Sequence, residues 1–141
     1  MILAVDPGKT TGLATWAEDE PFMSAQLPHM EFLDWTWDIL WTEIDAVVCE
    51  SYIITAATLR KTRGENWSLE QIGALRWMCE RTRGVTSFTL QSPSEAKSFA
   101  TDAKLRKVGW YKPGQDHAND ASRHLLVYLI RHNLFDAHAL L

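Results

Sequence analysis

The sequence predicts an α/β fold: a mixed five-stranded sheet, its first three strands antiparallel, with helices on both faces. Three observations predict it. Five short runs favour strands: Met1–Val5, Thr10–Trp16, Pro21–Leu27, Ala46–Cys49 and Val85–Leu90. Segments of helical period separate and follow the later ones. Finally, Met1–Val5 and Ala46–Cys49 are apolar enough for buried strands, yet each ends on an acid, Asp6 or Glu50.

Taken in order, Asp6 is followed by the turn dipeptide Pro7-Gly8, and Thr10–Trp16 then alternates, so residues 1–16 read as a hairpin. Asp6 sits at the end of the first strand, beside a turn with exposed backbone. An ionised carboxylate against such a core costs about several kcal/mol unless a metal or another cation pairs with it. Gly8-Lys9-Thr10 has the ending of a phosphate-binding P-loop, but that motif needs a glycine where Leu3 stands. The Asp-x-Gly-x-Thr turn also resembles the phosphate loop of actin-like ATPases. Those close two such domains over a nucleotide, whereas 141 residues are read as one domain, 1–141.

After the acidic turn Glu18-Asp19-Glu20 and the third strand, His29 to about Thr42 reads as a helix. Its apolar stripe is Leu33, Trp37, Leu40, Trp41 and Ile44, widened by Phe32, Trp35 and Ile39, with the tryptophans as core. In the next strand Val48 and Glu50 share a face, as Ala4 and Asp6 do, so two strands can present carboxylates at one sheet edge. Residues 51–67 lose regular period. There Tyr52, Ile53 and Ile54 lie beside the candidate acid and Arg60, Lys61 and Arg63 farther out, an arrangement suited to wedging or stacking with flanking phosphate contacts.

A helix over 68–83 follows, opened by Ser68 as N-cap and closed by Gly84. Its apolar positions Leu69, Ile72, Leu75, Trp77, Met78 and Cys79 exceed one stripe, so a second helix or a partner subunit packs on it. Ser92-Pro93-Ser94-Glu95 starts another helix. Residues 97–112 mix Lys97, Lys104, Arg106, Lys107 and Lys112 with Trp110 and Tyr111, either a phosphate-tracking surface or a solvated helix face. On the final helix, Asp116 to about His132, residues His117, Asp120 and His124 share a face beside Ala121, Leu125, Tyr128 and Leu129. A His and an Asp one turn apart can ligate one metal. Asp116 suits an N-cap, and His124 is either a polar edge of the core or a partner supporting the site.

Seven tryptophans are many for this length. No basic leader precedes the apolar start and no run reaches membrane-spanning length, so the expected location is the cytosol. Cys49 and Cys79 lack partner spacing and read as buried fillers. Charge is divided: residues 1–50 hold one Lys against ten acids, net −9, and residues 51–141 hold thirteen Lys and Arg against eight acids, net +5. The second half suits a polyanion while the first supplies carboxylates.

DPGKTTGLA, VVCES and HANDA, ordered on strand, strand and final helix, together resemble the RuvC type of Holliday-junction resolvase, a short phage-type member of the RNase H-like superfamily. Ile72-Gly73-Ala74-Leu75-Arg76 resembles the family's Gly-x-x-Arg helix, which builds a dimer interface in relatives. Ser92-Pro93-Ser94-Glu95-Ala96-Lys97 resembles its Pro-x-x-x-Lys helix start. The resemblance implies an RNase H-like nuclease domain, a homodimer joined through helix 68–83, and a bacterial or phage-infected host as the setting. It also implies two Mg2+ or Mn2+ ions per active site, held by Asp6, Glu50, His117 and Asp120. Lys97, matching the family's first lysine, would offset charge on the phosphate, as would Lys104 as its second. The position of His117 is Asp or His in the family. Where relatives carry a phenylalanine wedge this chain has Ile53, so Tyr52 or the Ile53-Ile54 pair would substitute.

The implied function is a metal-dependent endonuclease that nicks four-way DNA junctions in symmetric pairs. Lys9, Thr10, Tyr52, Ile53, Arg60, Lys61, Arg63, Lys104, Arg106 and Lys107 are the candidate DNA contacts. The alternatives are a nuclease of the same fold acting on other branched DNA or RNA–DNA hybrids, a junction-binding module without catalysis, and an actin-like nucleotide binder.

Overall fold

The computed structural model describes residues 1–40, 43–62 and 65–141. Trp41 and Arg63 lie outside the described residues, as do the side chains of Leu40 and Lys61. Strands β1 (Ile2–Asp6), β2 (Thr10–Ala17) and β3 (Glu20–Pro28) form an antiparallel meander, while β4 (Ala46–Glu50) runs parallel to β1 and β5 (Ser87–Gln91) parallel to β4. The sheet order is β3-β2-β1-β4-β5. The central pair β1 and β4 is covered on both sides, which is why their sequences are apolar throughout.

Six helices accompany the strands among the described residues: α1 (His29–Leu40), α2 (Ala56–Thr62), α3 (Trp67–Arg81), α4 (Pro93–Phe99), α5 (Asp102–Lys107) and α6 (Asp116–Arg131). On one face of the sheet α6 lays Ala121, Leu125 and Leu129 on Ala4, Ala14 and Val48. The opposite face carries Leu3, Val5, Leu13, Val47 and Cys49, covered by Phe32 of α1 and by Ile72 and Leu75 of α3. Strand alternation therefore sends Asp6 and Glu50, in phase with Ala4 and Val48, to the α6 side.

One close approach fixes how α6 lies. A Cβ on Gly12 would stand 1.8 Å from the backbone oxygen of His117, so only glycine lets the start of this helix cross β2. Gly12 is also the register partner of Asp6. The crossing thereby brings His117 over the end of β1.

Several local expectations are corrected. Residues 56–62, within a segment that lacked regular period, form α2, whose start is tied by reciprocal bonds between Thr55 and Thr58: each backbone N–H donates to the other's hydroxyl, at 2.7 and 3.1 Å. Helix α3 begins earlier than Ser68, because Asn66 caps it by accepting from the Leu69 N–H, and it ends at Arg81. Ser68 instead donates to the Pro7 carbonyl at 2.8 Å. Trp37 is exposed rather than core, since α1 turns Phe32 and Thr36 inward. It stacks on Trp77 of α3, so a second helix does pack there. Trp110 is buried and stacks on Phe22 at 4.2 Å, and so leaves the proposed phosphate-tracking surface for the core. Gln115 rather than Asp116 occupies the N-cap of α6. Both cysteines are buried and unbridged, as expected, and burial pushes the Cys79 thiol up to about 11.

Candidate active site

Asp6 stands at the end of β1 and Glu50 at the end of β4, one residue beyond the paired Val5 and Cys49. Asp6 is buried, and its turn is less open than expected. The Gly8 N–H donates to Gln71 Oε1 at 3.0 Å, and Gln71 Nε2 donates to the Thr11 hydroxyl, which in turn donates to the Gly8 carbonyl. Gln71 is fully buried. A polar residue amid the apolar positions of α3 thus holds the turn that follows the first carboxylate.

From α6, His117 Nδ1 lies 2.8 Å from Asp6 Oδ2. Burial raises the Asp6 pKa above the ordinary carboxylate range, against the lowering effect of the His117 hydrogen bond, and the negative charges of Glu50 and Asp120 add to the rise. The hydrogen bond to Asp6 raises the His117 pKa, its partial burial opposing. One turn on, Asp120 Oδ2 meets Lys97 Nζ at 3.0 Å, and that bond, ahead of the opposing burial, raises the lysine pKa. Asp120 Oδ1 also accepts from Arg123 at 3.2 Å, and Arg123 reaches Asp102 with its other nitrogen. Another turn on, buried His124 places Nε2 2.9 Å from Glu50 Oε2 and Nδ1 3.0 Å from Gln91 Oε1.

Asp6, Glu50, His117, Asp120 and Lys97 are thereby gathered at one edge of the sheet. The donor set, three carboxylates and an imidazole, suits a hard divalent cation such as Mg2+ or Mn2+. The burial, and after it the repulsion from Glu50 and Asp120, that raise Asp6 are what such a cation would offset. Among the described residues no three His, Cys, Asp or Glu form a ready-made metal cluster. Two of the carboxylates meet partners within the chain, the His117 imidazole at Asp6 and the Lys97 ammonium at Asp120. A polar cleft of about 410 Å³ adjoins the site, lined by Lys97, Asp102, Tyr111, Asp116, Asn119, Asp120 and Arg123.

The candidate DNA contacts are more scattered. Lys9 and Thr10 lie at the hairpin turn beside Asp6, and Ile53 and Ile54 are exposed just beyond Glu50, while Tyr52 packs partly into the α1–α3 core. Arg60 lies on α2, where its Nε donates to the Ala56 carbonyl. On α5, Lys104 Nζ donates to the Phe99 carbonyl and Arg106 lies over the Tyr111 ring at 3.9 Å. Lys107 ends that helix, exposed. Gln71 and Arg123 had no role in the sequence reading: an isolated Gln or Arg on a helix carries no signal until its partners, 60 and 21 residues away, are placed.

The sheet order, mixed pairing and two helical layers define an α/β fold of the RNase H-like kind. Among solved structures, the chain is similar to T. thermophilus RuvC in complex with a Holliday junction substrate, with a TM-score of 0.59 and 16% sequence identity, over 94% of this chain and 96% of that one. No family model matches the sequence, and no curated protein does.

Proposed function

We propose that this protein is a metal-dependent, structure-selective DNA endonuclease that resolves four-way junctions by paired nicks. The observation that carries the reading is the convergence of Asp6, Glu50, His117 and Asp120, with Lys97 beside them, on a fold similar to that of a RuvC bound to a Holliday junction. Asp6, Glu50, Asp120 and His117 would hold Mg2+ or Mn2+, two per site. Such ions, when bound, supply activation of water and stabilisation of the leaving 3′ oxygen.

The chain's own groups have defined tasks around that chemistry. His117 holds a hydrogen against Asp6 and keeps the buried carboxylate compensated in the metal-free protein. Lys97, half exposed, carries a positive charge at the rim that offsets charge developing on a phosphate oxygen. Lys9, Thr10, Arg60, Lys61, Arg63, Lys104, Arg106 and Lys107 would track the backbone of the arms, with Ile53 and Ile54 as the wedge at the branch and Tyr52 behind them.

The reading includes a homodimer through α3, which places two sites on a symmetric junction. Leu69, Gly73 and Trp77 recur every fourth residue on its outward side; Leu69 and Trp77 are exposed, and a Cβ at Gly73 would meet only open space. Among the described residues no helix is long and apolar enough to cross a membrane. The reading of a DNA-acting enzyme carries with it a cytosolic location and a single nuclease domain.

The test is cleavage of a labelled immobile four-way junction beside a flap, a fork, a linear duplex and an RNA–DNA hybrid, with Mg2+, Mn2+ or EDTA. Symmetric nicks in the junction alone, abolished by EDTA, are expected. Equal cutting of flaps and forks would reduce the reading to a general branch nuclease, and binding without cutting in any metal would overturn it.

A further inference from the structure

His124 is only 1% exposed, on the face of α6 that otherwise buries Ala121, Leu125 and Leu129. An aliphatic side chain would fill such a position without the cost of burying two ring nitrogens. What the imidazole has instead is a partner at each nitrogen: Glu50 Oε2 at 2.9 Å and Gln91 Oε1 at 3.0 Å. These two partners are register neighbours at the ends of the parallel strands β4 and β5. The ring therefore spans the carboxylate and the amide from above the sheet.

We infer that His124 is the positioning residue of Glu50, its Nε2–H fixing the rotation of the carboxylate and hence which oxygen faces the open side of the site. A carboxylate only accepts hydrogen bonds, so Nε2 must carry the hydrogen. With the Gln91 oxygen towards the ring, Nδ1 donates as well; with the amide turned over, Nδ1 accepts from its NH2 group. Both arrangements leave the same hydrogen on Glu50. Fixing a ligand carboxylate by a buried donor prepares it for a cation before one arrives, and losing such support costs roughly ten- to hundredfold in metal affinity. The inference rests on the reading of Glu50 as a metal-site carboxylate.

Two amide replacements separate this role from simple packing. In His124→Asn the short amide keeps the Gln91 contact and cannot reach Glu50; in His124→Gln the longer amide places an N–H where Nε2 stands. Mn2+ binding, followed by loss of the free-ion EPR signal with no DNA present, is expected to weaken about tenfold or more in His124→Asn and to return close to wild type in His124→Gln. Wild-type affinity in both variants, or equal loss in both, overturns the inference. A second measurement needs no variant: in the 1H–15N spectrum of the wild-type protein, the His124 ring must show a slowly exchanging hydrogen on Nε2. A ring carrying hydrogen on Nδ1 alone overturns the inference too. Wild-type protein that binds no Mn2+ overturns the metal-centre reading itself, and the inference with it.

Discussion

Two carboxylate–imidazole pairs meet at this sheet edge, and they are built in opposite senses. In the first the acid is buried and the base is open: the Asp6 side chain is 10% exposed and that of His117 47%. In the second the base is buried and the acid faces out: His124 is 1% exposed and Glu50 19%. Both histidines come from one helix, seven residues apart, and both contacts are under 3 Å. The difference teaches that identical pair chemistry serves different ends. An open imidazole can leave its acid for another ligand, whereas a buried one can only hold its acid in place.

The strongest way to break the comparison is Asp6→Asn. Cleavage is expected to fall by about 10²-fold or more, with junction affinity nearly unchanged, because the amide keeps the shape and the His117 contact but not the charge. A variant that cuts normally in Mg2+ would remove Asp6 from the chemistry.

Next in size is Gly12→Ala. The added Cβ would sit far inside van der Waals contact distance of the His117 backbone oxygen, so α6 must lift at its start, at a cost of about 1–3 kcal/mol in stability. The lift is local, and it should disturb the Asp6–His117 pair more than the His124–Glu50 pair. Chemical shifts of the two imidazoles report each separately, and equal perturbation would mean that α6 moves as a rigid rod.

The pH response sharpens the first pair. His117 has a folded pKa above its unfolded value, so its contribution is fully present below about pH 6.5 and is lost as pH rises through the folded pKa. Asp6 is raised as well, so its ionisation also costs stability as pH rises past the ordinary carboxylate range. The Asp6 cost is carried by a His117→Asn variant too, so comparing the two proteins reads the His117 part. Melting of EDTA-treated protein should therefore show a wild-type advantage over His117→Asn that shrinks from pH 6 to pH 8, and an advantage that grows would reverse the assignment.

The smallest effect lies away from both pairs. Replacing Arg60, Lys61 and Arg63 with Ala should weaken junction binding and flatten its dependence on log salt concentration by about one unit for each phosphate that is no longer neutralised. An unchanged slope would move the DNA surface elsewhere.

Much of this was legible in the sequence for a definite reason. Asp6 and Glu50 break apolar runs at their ends, and His117 and Asp120 share a helix face by spacing, so strand and helix periods supply each pair; that the two pairs meet was implied by the family resemblance alone. Gly12 stood within the recognised Asp-Pro-Gly segment, but the helix it admits arrives 105 residues later and leaves no local trace. The same holds for Gln71, whereas the spacing of His124 left a polar core edge and a partner supporting the site equally open. Trp37 and Trp110 mislead in opposite directions, because hydrophobicity does not say which of several apolar side chains faces inward. The start of α2 was written locally, in Thr55 and Thr58, but hydroxyl capping is quieter than an apolar stripe.

The Gln71 clamp has a consequence for motion. The turn after Asp6 has its amide and carbonyl groups tied to α3 through Gly8, Pro7 and Thr11, and α3 carries Leu69, Gly73 and Trp77 on its outward side. Turn and helix therefore open together or not at all. The hydrogen-exchange rate of the Gly8 amide becomes a gauge of how firmly α3 is seated, read at the first carboxylate of the site.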